Sequence, residues 1–316
     1  YDGNQWVNVT TDSPEQNTGG TRALTLGGLT NPYSLKNNIQ FFNVDSTGNA
    51  SDFGNLISTG RSGSSAADRT RAVIMGGSTP GTPAGDADIE KVTIASTGDA
   101  TDFGGDLLTG VRGAEAVNNQ TRAVLVSGEH SSTDNIMQYI TIQSSGNAVD
   151  FGDVITASSS VKKMSSPTRG VFCLDVSTSV IEFITISTLG NASDFGDTTG
   201  ARRNSAATSN AVRGIIFGGV TPSPSATFDS MDFITLATLG NATDFGDLST
   251  TISSNSAAAS PTRAVSIGGV VSPATTMTNT IEYVQFASLG DAVDFGDPHL
   301  STRLSTSTSN GHGGLG

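Results

Sequence analysis

Ser46-Thr47-Gly48-Asn49-Ala50-Ser51-Asp52-Phe53-Gly54 decides the architecture, because its closing tripeptide returns five more times. Asp-Phe-Gly recurs at Asp102–Gly104, Asp150–Gly152, Asp194–Gly196, Asp244–Gly246 and Asp294–Gly296, at intervals of 50, 48, 44, 50 and 50 residues. A period of this size marks an array of repeated structural units.

Working outward from the tripeptide, every unit reads alike. A strand of small residues ends at a turn carrying Arg, and an apolar strand then runs into a glycine pair, as in Thr70-Arg71-Ala72-Val73-Ile74-Met75-Gly76-Gly77. A loop of variable length follows. An alternating strand such as Ile181-Glu182-Phe183-Ile184-Thr185-Ile186 then leads into the next Asp-Phe-Gly. These six-residue runs are rich in β-branched and aromatic residues and bounded by Gly and Asn, the signature of strands. No helical period is sustained, so the chain is expected to be all-β. Four short strands in a unit of about 48 residues match the blade of a β-propeller.

Composition narrows the function. Charged residues make up 14% of the 316, and the net charge is −13. A general nucleic-acid binder needs cations to displace phosphate counterions, so no nucleic-acid partner is expected, and an anionic membrane is disfavoured for the same reason. No apolar run approaches the roughly 18–20 residues of a membrane span. Tyr1 is not an initiator methionine, which suggests that the natural start lies upstream or has been removed. Cys173, the single cysteine, sits in an apolar run and reads as a small buried hydrophobe. With no second cysteine, no intrachain disulfide and no Cys/His zinc set is expected.

The repeat resembles the kelch family of propellers. Its paired glycines (Gly76-Gly77, Gly218-Gly219), fourth-strand aromatic (Phe103, Phe245) and following Arg112 hold the family's relative positions. Phe replaces the usual Trp in all six repeats, and the glycine pair becomes Ser127-Gly128 in the third and Leu174-Asp175 in the fourth. The implied organisation is one domain over 1–316: an N-terminal closing strand at 1–10 with Trp6 at the aromatic position, six repeats over 11–299, and C-terminal closing strands at 300–316. That makes seven blades, one of them composite. Six blades are the alternative.

Within this frame the repeated residues read as structural. Asp-Phe-Gly holds magnesium in protein kinases, but here it recurs six times without a strand lysine or a His-Arg-Asp loop. Phe53, Phe103, Phe151, Phe195, Phe245 and Phe295 are expected between blades. Arg22, Arg71, Arg122, Arg169, Arg213 and Arg263 mark the first turn of each unit, and Asp52, Asp102, Asp150, Asp194, Asp244 and Asp294 follow the second turn. Both turns of an up-and-down blade lie on one face, so a ring of Arg–Asp pairs is the expectation. Gly-Asn-Ala-x-Asp-Phe-Gly-Asp offers oxygen ligands for calcium, but it lacks the ligand ladder of a dedicated site and reads as an Asx-type turn. His130, His299 and His312 lie at no recognised ligand spacing, and no serine-nucleophile elbow is present. No metal, cofactor or catalytic residue is expected.

Tandem Ser-Thr-Gly-Asn-Ala-x-Asp-Phe-Gly-Asp-Leu with Thr-Arg-Ala-Val-x-x-Gly-Gly also resembles repeat proteins of tailed bacteriophages, especially marine cyanobacterial ones. The opening Tyr1-Asp2-Gly3-Asn4-Gln5-Trp6 is similar to a segment of phage fibre and virion proteins. The resemblance implies a non-enzymatic structural protein of the virion, in a fibre or appendage. Its loops would contact other virion proteins and a host-surface glycan or protein, and a homo-oligomer is compatible with that role. The loops Thr30–Asn38, Ser78–Asp88, Glu129–Asn135, Val220–Ser230 and Val270–Thr280 are the candidates for contact, with Tyr33, His130 and Phe228 as the side chains best suited to sugar or protein. A purely architectural capsid-decoration or filament subunit is the alternative. A glycan-active propeller enzyme is the third reading, and it would need paired carboxylates across a cleft.

Overall fold

The computed structural model describes residues 21–130, 132–174, 178–222, 226–271 and 276–316. The closing strand assigned to 1–10 lies outside the described residues. Within them, every sheet is antiparallel and the chain is an all-β propeller of four-stranded blades, as the repeat length implies.

The strands form seven sheets, six of four strands and one of three. Blade 1 orders Thr306–Ser309, Arg22–Thr30, Ser34–Asn43 and Ser51–Gly60 from the axis outward, so the C-terminal part of the chain supplies its innermost strand. The innermost strands of blades 2 to 6 are Ser64–Ala67, Glu115–Asn118, Val161–Ser165, Ala206–Ser209 and Ser256–Ala259. The three-stranded sheet is a ribbon of two-residue strands, Ile252–Ser253, Val270–Val271 and Thr276–Met277, lying in the loops.

Of the two counts drawn from the sequence, the described strands fill six blades. Segment 300–316 was expected to give two closing strands. It gives one, which pairs directly with Arg22–Thr30, and then a short 3-10 turn at Gly313–Leu315. Each inner strand packs against those of the two flanking blades, and Thr306–Ser309 touches both Ser256–Ala259 and Ser64–Ala67. Six apolar clusters lie one at each seam, the last joining Phe295 of blade 6 to Ala23 and Phe42 of blade 1.

The repeated motif makes these seams. The Phe of each Asp-Phe-Gly is at most 3% exposed, and burying such a ring contributes about 2–3 kcal/mol. The next blade's Gly-Asn-Ala turn lies against it. Gly98, Gly190, Gly240, Gly290 and Gly48 donate N–H bonds of 2.8–3.0 Å to the carbonyls of Phe53, Phe151, Phe195, Phe245 and Phe295. Asn49, Asp99, Asn191, Asn241 and Asp291 accept, through their side chains, the N–H of the residue that follows the motif one blade back, at 2.8–3.1 Å, and Asn147 accepts that of Asp106, two residues past its motif. The motif glycine is required by this approach. A methyl on Gly196 would stand 2.5 Å from the Gly240 oxygen, and its φ of +147° disfavours any L side chain. In blade 2 an added residue passes this place to Gly105, whose methyl would meet Gly146.

The expected Arg–Asp ring does not form. Among the described residues the ion pairs are Arg112–Glu129, Lys163–Glu115 and Arg202–Asp232, and the six motif aspartates are exposed. Each repeat arginine reaches across a seam instead. Arg22, Arg71, Arg122, Arg169, Arg213 and Arg263 donate to the carbonyls of Ile94, Ile142, Ile186, Leu236, Phe286 and Val44. Five of them also lie 4.3–4.9 Å over the third-strand ring of their own blade: Phe41, Tyr139, Phe183, Phe233 and Tyr283. That ring meets the motif Phe edge to face. A planar guanidinium can stack and donate at the same time, whereas a carboxylate at the exposed start of the fourth strand gains little by leaving water.

Candidate functional site

Antiparallel order puts the two tight turns of every blade on one face of the disc. The long second-to-third-strand loops and the blade-to-blade connections share the other. On the first face the axis is closed. His312 sits there half-buried, its Nε2 2.9 Å from the Ala67 carbonyl and its Nδ1 accepting the Gly314 N–H at 3.1 Å. Gly313 and Gly314 fit against the carbonyls of Ser165, Asn210 and Asn118 so closely that no side chain could replace them. Burial lowers the His312 pKa to about 4, so the ring is neutral. His312 is thus part of an axial plug.

The opposite face opens into a funnel of about 260 Å³ centred on the axis. Five connections enter it with a residue in left-handed conformation: Ser62 (φ 52°), Gly113 (70°), Asn204 (55°), Ser254 (57°) and Leu304 (54°). Backbone bonds of 2.7–3.0 Å chain them together, Gly113 to Ser62, Ser62 to Leu304, Leu304 to Ser254 and Ser254 to Asn204. For a non-glycine residue the left-handed state costs about 1–2 kcal/mol, and four such residues at one mouth mark a rim held in place by its surroundings.

The walls of the funnel differ. Arg61, Arg112, Glu115, Glu129, Lys162 and Lys163 line one side, from the connections into blades 2, 3 and 4. The other side, from the connections into blades 5, 6 and 1, carries Ser, Asn, Ala and Leu only. Lys163 forms the floor. It crosses from blade 4 to the Ser65 carbonyl and hydroxyl of blade 2 and pairs with Glu115 of blade 3 at 3.1 Å. Arg112 pairs with Glu129 at 2.9 Å and donates to the Pro83 carbonyl. The Arg61 guanidinium has no hydrogen-bond or ion-pair partner among the described residues.

Beneath the loops a buried latch repeats at the second residue of each third-strand core. Glu90 accepts the N–H groups of Ile57 and Ser58 from blade 1, and Glu182 accepts those of Ile155 and Thr156 from blade 3. Gln40 and Gln138 do the same through amides, toward Leu300 and Leu108. Asp232 combines the Thr199 N–H with Arg202 at 3.0 Å. Burial raises the carboxyl pKa of both Glu90 and Glu182, against the lowering effect of those hydrogen bonds.

The three loop side chains singled out from the sequence fall differently. Tyr33 is 75% exposed, with the Arg303 guanidinium 5.0 Å from its ring. His130 is exposed, its Nδ1 2.9 Å from the Gly110 carbonyl. Phe228 is half-buried under Arg202, 4.8 Å from ring to guanidinium, and belongs to the Arg202–Asp232 latch. All three lie on the funnel face, but none lines the funnel. The sequence reading missed Arg61, Arg203 and Arg303, which share with Arg112 the position three residues before an inner strand. Its signal was in the chain: Arg61, Arg112 and Arg203 each precede a repeat arginine by ten residues.

No protein-family model matches this sequence, and no curated protein matches it.

Proposed function

We propose that this propeller is a non-enzymatic binding module of a phage virion, a fibre or appendage component whose funnel face meets the host surface. The observation that carries the reading is the division of labour between repeated and unrepeated residues. The repeated Arg, Phe and Asn side chains and the backbone of the repeated glycines are engaged at the seams between blades. The residues that vary from unit to unit gather in the loops and connections of one face, around a central depression. Variable loops on a rigid ring suit recognition of an outside partner. A closed ring also leaves few free sheet edges, which suits a protein that must persist outside a cell. The phage setting itself comes from the resemblance of the repeat and of the opening Tyr1–Trp6.

The test is antibody labelling of purified particles, followed by attachment assays with loop variants. Labelling at fibre tips, with attachment reduced by substitutions at Tyr33 or in 78–88, is the expected result. Labelling over the capsid or along a filament, with attachment unchanged, would favour the architectural alternative. Absence from particles would overturn the virion reading.

A further inference from the structure

The funnel has the chemistry of a sugar subsite, and we infer that it takes one unit of an acidic saccharide. This deepens the display function proposed above and rests on it. Among the lining residues, the cations Arg61, Arg112, Lys162 and Lys163 outnumber the two carboxylates, Glu115 and Glu129, inside a chain of net charge −13. Three of the cations are already engaged: Lys163 with Glu115 and Ser65, Arg112 with Glu129, and Lys162 with a partner of its own. Arg61 has no hydrogen-bond or ion-pair partner among the described residues, and it lines the cavity with a fork of donors that can meet a ligand. Carboxylate and sulfate groups match that fork, and such charge-assisted bonds are the strong ones.

The facing wall presents short polar groups, among them Asn204, Ser254 and Ser305, and no charge. Short hydroxyls and amides suit sugar hydroxyls. A cationic wall opposite a hydroxyl wall therefore fits a ring that bears one anionic substituent and several hydroxyls. The volume of about 260 Å³ holds one such ring, and the Lys163 floor prevents deeper passage. A longer chain would leave along the surface toward the variable loops.

The experiment is calorimetric titration of the purified protein with trigalacturonate, its neutral methyl ester, a sulfated carrageenan disaccharide and a hexaglutamate peptide. Binding of an anionic sugar, weakened about tenfold or more in the methyl ester and in Arg61→Gln, is the expected result. Arg203→Gln, on the rim but outside the cavity, leaves binding unchanged. Thermal melts of each variant confirm that the ring is intact. Three results would each overturn the inference: no binding of either anionic sugar, equal binding of the ester, or equally tight binding of the peptide. If the funnel ignores sugars while loop variants still abolish attachment, the inference fails and the display function stands.

Discussion

The two faces of the disc are built from the same repeats and treat them in opposite ways. On the turn face, repetition is nearly exact: six Gly-Asn or Gly-Asp turns dock on six Asp-Phe-Gly segments, and the axis is plugged by Gly313, Gly314 and His312. On the funnel face the repeat breaks down. Equivalent positions carry Arg61, Arg112, Ser159, Arg203, Ser253 and Arg303, and the two walls of the cavity differ in charge. Residues that hold a ring closed must satisfy the same geometry at every seam, so they converge. Residues that meet a partner answer to that partner's asymmetry, so they diverge.

The sharpest way to break this comparison is at a seam. Gly196→Ala places a methyl 2.5 Å from the Gly240 oxygen at a φ of +147°, and should cost about 3 kcal/mol or more. Gly200→Ala, with open space around it, should cost almost nothing by the same denaturant titration. If the two variants unfold together, the seams do not carry the stability assigned to them.

The plug gives the next effect, as a pH dependence. Burial lowers the folded His312 pKa to about 4 against an ordinary 6.5. A depressed base binds its proton more weakly when folded. Stability is therefore full above pH 6.5 and is lost as pH falls toward 4, by about 3 kcal/mol. Asp68, Arg69 and Lys163 also face the ring and shift it less than burial does. His312→Gln should flatten this acid limb in unfolding curves taken at several pH values.

Arg169→Lys tests whether stacking matters at the seams. The ammonium can replace one bond to Leu236 or Ala237 but not the contact with the Phe183 face, a loss of about 1 kcal/mol. The latches supply an effect of opposite sign. Raised folded pKa values at Glu90 and Glu182 mean a contribution that is full below the unfolded carboxyl pKa and lost as pH rises through the folded one. Glu182→Gln, which copies the amides of Gln40 and Gln138, should therefore leave neutral-pH stability equal or higher and remove that part of the pH dependence. Arg61→Gln should change stability by less than about 0.5 kcal/mol, since its guanidinium has no partner to lose among the described residues. A large loss there would mean that the funnel wall is structural.

Much of this molecule can be read before it folds. A six-fold Asp-Phe-Gly with strands between announces a propeller, because a period of that length with β-branched runs has few other ways to bury its faces. The burial of Cys173 and of the six motif phenylalanines follows from the same pattern. The Arg–Asp ring was misread because two parallel series with opposite charge suggest pairing, and sequence carries no distances. The arginines find carbonyls and aromatic rings across the seams, and the aspartates stay in water.

Closure was decided only in three dimensions. Whether the C-terminal part of the chain joins the N-terminal segment in a composite blade or donates one strand to the first repeat depends on how six twisted sheets fill a circle, which no local pattern encodes. The same closure brings Lys163 across the axis to Ser65 and sets Arg61 opposite Asn204. Local sequence determines strands, turns and the chemistry of each seam, because those contacts depend on neighbouring residues and a fixed repeat. The funnel draws its lining from all six inner connections at once, so its charge and shape exist only when the ring is complete.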